Sequence, residues 1–260
     1  MKTLTRSVGR PEIGGEPLPF VFRTFDGNQI AIRRSEVSMI AGEPGAGKST
    51  LALAMALRMN VPTLYLSADT NAHTMAMRLY SMITGESQQN AEVAIEKDPE
   101  NARNKLALAS HIYWSFDSSP SLGDLDDECM AIEELLGRPP ELIVVDNLMD
   151  IAMDGGEEFS GMRGAMKELK FLARDTNAAV LVLHHTSEAF KSEPTPPRAA
   201  LQGKVAQLPA LILTVGQQAG LMAVSSVKNR YGKADPSGSQ PVWLQFNPEY
   251  MYLADLEETR

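Results

Sequence analysis

The chain has 260 residues, 43% of them hydrophobic, which suits one large α/β domain or two small ones with a sizeable core. Its 24 basic and 33 acidic residues leave a net charge of −9, which weighs against a broad basic surface for nucleic acid but not against a narrow basic channel. No apolar run reaches the ~18–20 residues of a membrane span, no apolar signal core follows Met1-Lys2-Thr3-Leu4-Thr5-Arg6, and the lone Cys129 excludes an intrachain disulfide framework and a cysteine zinc site.

Residues 1–20 carry Gly9, Pro11, Gly14, Gly15, Pro17 and Pro19 and are expected to form an extended arm, with the folded domain over 21–260. Val37-Ser38-Met39-Ile40-Ala41 is the first clear strand. Gly42-Glu43-Pro44-Gly45-Ala46-Gly47-Lys48-Ser49-Thr50 follows it and fits G-x-x-x-x-G-K-[ST], a loop that wraps phosphates with backbone N–H groups. Leu51 to Leu57 reads as the next helix, whose N-terminus adds partial positive charge. In such a loop Lys48 reaches the β- and γ-phosphates and the Ser49 hydroxyl ligates Mg²⁺, so ATP with Mg²⁺ is the expected ligand.

Thr63 to Ser67 is a short apolar strand that leads to Asp69. That carboxylate could activate an attacking water, or it could cap the helix predicted from Thr70 to Thr84. Residues 85–105 read as polar and irregular, with a helical turn or two near Ala91 to Ile95. His111 to Phe116 is a strand, and Leu122 to Leu136 a helix capped by Ser121 and stopped by Gly137. Cys129 sits on that helix as a buried structural thiol. Leu142 to Val145 is a fully apolar strand ending at Asp146, an acid placed to hold Mg²⁺.

Met153 to Gly161 is a glycine-rich acidic loop, and Ser160 to Asp175 the next helix. Ala178 to Leu183 is a buried strand ending at His184 and His185. Adjacent strand residues point to opposite faces, so one histidine could sense a γ-phosphate while a metal pair is poorly supported. The long loop from Ser187 to Lys204 holds Lys191, Arg198 and Lys204 and is the better of the two loops for a nucleic-acid strand, or else a solvated loop with nothing bound. Ala210 to Val215 and Met222 to Val227 are strands, and Val242 to Leu253 a closing hairpin-like pair. Lys228-Asn229-Arg230 projects two cations to one side of an extended chain. They could serve a neighbour's nucleotide or simply face solvent at a hairpin edge. The alternation predicts an α/β fold with a mostly parallel twisted sheet and helices on both faces. All the candidate polar residues are expected at the carboxyl ends of its strands.

Taken together these motifs resemble the RecA-like motor domain of the DnaB family of replicative helicases, over about residues 30 to 255. Gly42 to Thr50 matches the phosphate loop and Leu66-Ser67-Ala68-Asp69 the strand with the catalytic acid. Leu142 to Asp150 matches the magnesium strand, and Ser226 to Gly232 the strand with a trans-acting lysine and arginine. The resemblance implies an ATP-dependent, ring-forming helicase on single-stranded DNA. It implies a hexamer with ATP at subunit interfaces, a loader or primase as partner, and a bacterial or phage-infected host cytoplasm. It also favours His185 as the sensor, and Lys228 and Arg230 as the neighbour's cations. The family usually has glutamate at the position of Asp69 and serine-glutamine at His184-His185. The histidine pair followed by Thr186 is more like the small RepA-type helicases of plasmids and phages. Lys228 to Gly232 also resembles a motif of the RadA branch-migration proteins, which keeps a RecA/RadA-like recombination ATPase open, as well as a non-motor regulatory ATPase.

Overall fold

The computed structural model describes residues 15–152, 158–187 and 194–256. Its centre is a mixed sheet with strand order β3-β2-β4-β5-β1-β6-β7-β8-β9. The strands are β1 (Val37–Gly42), β2 (Thr63–Ser67), β3 (Ile112–Ser115), β4 (Leu142–Asp146), β5 (Ala179–His185), β6 (Leu211–Gln218), β7 (Leu221–Asn229), β8 (Val242–Asn247) and β9 (Tyr252–Asp255). The six strands from β3 to β6 run parallel, and β7, β8 and β9 add antiparallel hairpins at one side.

Side chains on the parallel strands alternate between two cores, as a period of two requires. Ile40, Leu142, Val144 and Leu181 face α2 (Lys48–Met59) and α3 (Ala72–Thr84). Met39, Ile143, Val145, Val180 and Val182 face α6 (Leu122–Leu136) and α7 (Glu158–Asp175). Helices on both faces explain why these strands read as unbroken apolar runs. Cys129 lies in the second core, where burial pushes its thiol up to about 12 and leaves it inert.

Four expectations need correction. A short helix, α1 (Arg23–Gly27), precedes the sheet, and residues 85–105 hold α4 (Gln88–Lys97) and α5 (Pro99–Leu106) rather than irregular chain. The signals are local caps: Ser87 accepts from Asn90 N, and Asp98 accepts from Asn101 N with Pro99 opening the helix. Helix α3 starts at Ala72 and is capped by Asn71, which accepts from Thr74 N at 2.9 Å, so Asp69 is not its cap. Within the arm, residues 1–14 lie outside the described residues. Residues 15–20 already pack on the domain, with Leu18 N bonding Ile32 O and its side chain buried.

The fourth concerns Lys228 and Arg230. Strands β6 and β7 are joined through Ala219 (φ 50°) and Gly220 (φ 76°), both left-handed, as a tight two-residue hairpin needs. The reversal sends β7 back along the sheet, so that Asn229 pairs with Leu211, which borders Ser38 at the start of β1. The two cations therefore lie at the opposite edge from the carboxyl ends of the parallel strands.

Candidate active site

The phosphate loop leaves β1 at Gly42 and enters α2 at Lys48. Gly45 (φ 77°) and Gly47 (φ 91°) take left-handed conformations that other residues rarely adopt. A Cβ on Gly47 would also stand 2.6 Å from Met222 Cε, which a shift of that flexible side chain could relieve, so the left-handed φ is what requires glycine there. Gly47 offers no side-chain cap to α2, which leaves the first-turn N–H groups free for an anion. Across the loop, Gln217 Nε2 on β6 donates to Gly45 O at 2.6 Å.

Lys48 is buried and folds over the loop. Its Nζ donates to Gly42 O at 3.2 Å and Glu43 O at 3.0 Å, and lies 3.3 Å from His185 Nδ1. Burial lowers its pKa, while Asp146 and Asp69 oppose that shift. Asp146, at the end of β4, accepts from Tyr65 Oη at 3.1 Å and is hydrogen-bonded by Ser49. Burial raises its pKa against the pull of Ser49, Tyr65 and Lys48. Asp69, beyond β2, accepts from Asn147 Nδ2 at 3.2 Å. Lys48, Ser49, Asp69, Asp146 and His185 thus converge, although their elements are far apart in sequence. Ser49 and Asp146 present paired oxygens, which is the donor set Mg²⁺ takes beside nucleotide phosphates. The fit is good.

The two histidines separate as their alternation requires. His185 faces Lys48, and burial lowers its pKa, with the Lys48 charge adding to that. His184 is fully buried on the other side, with Nε2 3.3 Å from Gln202 O and Nδ1 without a hydrogen-bond partner. Burial pushes its pKa down to about 4. The unfolded chain binds the proton near pH 6.5, so it holds more protons than the fold between pH 6.5 and 4. Stability present above pH 6.5 is lost as pH falls through this window, by roughly 3 kcal/mol from this residue. A His184→Gln variant is expected to flatten the acid limb of urea unfolding midpoints measured from pH 7.5 to 4.5.

A cleft of about 280 Å³ opens beside the loop. One wall is Gly45 to Thr50, and the other holds Arg78, Gln88, Phe246 and Met251. Gln217, Phe246 and Met251 come from β6 and the closing hairpin and carry no sequence signature. A larger cleft of about 450 Å³ lies between α6 and α7. Its rim is acidic, with Asp126, Glu133, Glu168 and Asp175, so it is the wrong chemistry for a triphosphate.

Lys228 and Arg230 do not join this site. Four strand steps from Ser38 to Gly42 span roughly 13 Å, so the cations sit well beyond contact with their own loop. Lys228 Nζ donates to Ala206 O at 3.0 Å and Gln207 O at 2.8 Å. Burial, then the charges of Arg198, Arg230 and Lys170, push its pKa down to about 8. Arg230 pairs with Glu36 at 2.9 Å. Arg198, in the turn Arg198–Ala200, stands among these cations, and Lys204 lies in the turn Gln202–Gln207. Lys191 lies outside the described residues.

The sheet order and the phosphate loop at the end of β1 define a RecA-like α/β fold with the phosphate-binding loop of an ATPase domain. The chain belongs to the AAA domain family, whose model matches residues 30–189. It is 35% identical to the Gene 65 protein of Mycobacterium phage L5, over 93% of this chain and 94% of that protein. A DnaB-like replicative helicase, solved in a study of its interactions with primase, shares its fold with a TM-score of 0.80 at 17% identity, over 98% of this chain and 65% of that one. A second solved structure, an isolated ATPase domain, gives 0.81 at 17% identity, over 98% of this chain and 96% of that one. No helix among the described residues is long and apolar enough to cross a membrane.

Proposed function

We propose that this protein is an ATP-driven, ring-forming motor on single-stranded DNA, of the replicative-helicase type found in phages and plasmids, working in the host cytoplasm. The observation that carries the reading is the separation of the two cation sets. Lys48 belongs to one edge of the sheet, and Lys228 and Arg230 to the other. A ring of identical subunits joined head to tail brings one edge of each copy against the other edge of the next. Each ATP would then meet the Gly42–Thr50 loop of one copy and Lys228 and Arg230 of its neighbour.

In that site the loop N–H groups and Lys48 bind the phosphates. Ser49 and Asp146 would hold Mg²⁺, which when bound neutralises phosphate charge. Asp69 takes the proton of the attacking water, and His185, already against Lys48, reports the γ-phosphate to the chain beyond it. That chain runs from His185 through Thr186 to the segment with Lys191, Arg198 and Lys204, which would contact DNA. Its two ends are tied together, because Thr186 bridges Leu201 and Ser187 N bonds Ala200 O. With a net charge of −9, DNA contact would be confined to this narrow cationic strip rather than spread over the surface.

Native mass measurement with a non-hydrolysable ATP analogue, with and without single-stranded DNA, tests this directly. The expected result is a hexamer of the 28.3 kDa chain that retains DNA when the analogue is present. A monomer under all conditions, with no DNA bound at low salt, would instead favour a regulatory ATPase.

A further inference from the structure

Glu36 stands immediately before β1, and its backbone is already in the sheet, with Val180 N donating to Glu36 O at 3.1 Å. Its carboxylate is 12% exposed. One oxygen, Oε1, accepts from both Arg230 Nη1 and Tyr231 Oη, each at 2.9 Å. The other, Oε2, is buried and has no partner. Tyr231 is braced in turn by the Arg33 guanidinium, 4.5 Å from its ring centroid. The Arg230 side chain remains 43% exposed.

This arrangement is poor as a stabilising device. A half-exposed ion pair contributes little, and an unpartnered buried oxygen is a cost. It is also not the forked pairing that would engage one edge of the guanidinium with both carboxylate oxygens. Glu36 Oε1 anchors Nη1, Tyr231 touches the same side chain, and the guanidinium still reaches the surface. The geometry points to Glu36 as the positioning residue for Arg230, holding its guanidinium by one corner while the rest meets the neighbouring copy's nucleotide. The inference rests on the proposed sharing of ATP between copies. It also gives β1 a second task. The strand begins directly after Glu36 and ends at Gly42 of the phosphate loop, so it joins the two half-sites through one buried element.

The test uses the assembled full chain with ATP, Mg²⁺ and single-stranded DNA. Glu36→Ala and Glu36→Gln are expected to lower kcat roughly 10- to 10²-fold, the scale of an ångström of misplacement, with KM for ATP unchanged. In an Arg230→Ala background neither substitution should lower kcat further. Binding gives a second readout: affinity for ADP–aluminium fluoride, which mimics the transferring phosphoryl group, falls with kcat, while affinity for ADP stays constant. Glu36→Gln keeps the side chain's shape and decides the matter where Glu36→Ala does not fold. An unchanged kcat in Glu36→Gln, or a loss that multiplies onto that of Arg230→Ala, would overturn the inference while leaving the shared site intact. If Arg230→Ala alone leaves hydrolysis unchanged, the shared site falls and the role of Glu36 with it.

Discussion

Lys48→Ala is expected to lower the rate of ATP hydrolysis by about 10²–10³-fold, the usual consequence of removing one preorganised charge from a developing anion. The effect should fall on chemistry more than on folding. Lys48 is buried with two backbone carbonyls and His185 as its contacts, and burial already disfavours its charge. Removing the cation relieves its own desolvation but also takes a compensating charge from buried Asp146, so the melting temperature should change little. Single-turnover hydrolysis measured beside thermal unfolding separates the two effects. A variant that loses its fold together with its activity would show that Lys48 is structural.

Arg230→Ala is expected to cost more, about 10³-fold or beyond in kcat, by the scale of arginine fingers supplied from a neighbouring chain. ATP binding should be nearly unaffected, because Arg230 lies at the sheet edge opposite its own phosphate loop. Ring assembly should also persist, since the visible partner of Arg230 is Glu36 of its own chain. The signature is therefore normal nucleotide affinity, normal mass and absent turnover. A loss of nucleotide affinity equal to the loss of rate would place Arg230 in ordinary substrate binding instead.

Much of this architecture was legible in the sequence because it is written locally. The glycines at 45 and 47 are needed for backbone angles that few other residues adopt, and the lysine and serine follow at the spacing the helix start requires. The strands from β1 to β5 stand out as apolar runs because both faces of the sheet are covered. Asp146 and the pair His184-His185 could be placed because each terminates such a run, whereas the choice of His185 within the pair came from the family resemblance.

What was not legible depends on contacts between distant segments or on weak local signals. Helices α4 and α5 bury little, with Ala91 and Ala102 meeting Tyr80 in a small satellite core, so their apolar periodicity is faint. The hairpin between β6 and β7 turns on Ala219-Gly220, a weaker cue than Asn-Gly, and the edge on which Lys228 and Arg230 stand depends on that turn. Gln217, Phe246 and Met251 line the nucleotide cleft from strands that reach it only through sheet order. Glu36 meets Arg230 across 194 residues of chain, a pairing no spacing rule contains.

The central claim is that one ATP site is made by two copies, and mixing inactive subunits tests it most directly. Lys48→Ala subunits lack the phosphate lysine but keep Arg230, and Arg230→Ala subunits have the reverse defect. In randomly mixed rings about one interface in four pairs an intact loop with an intact arginine. DNA-stimulated hydrolysis is predicted to reappear on mixing, well above that of either variant alone. Mixed rings of confirmed composition that stay as inactive as their parents would contradict the shared site.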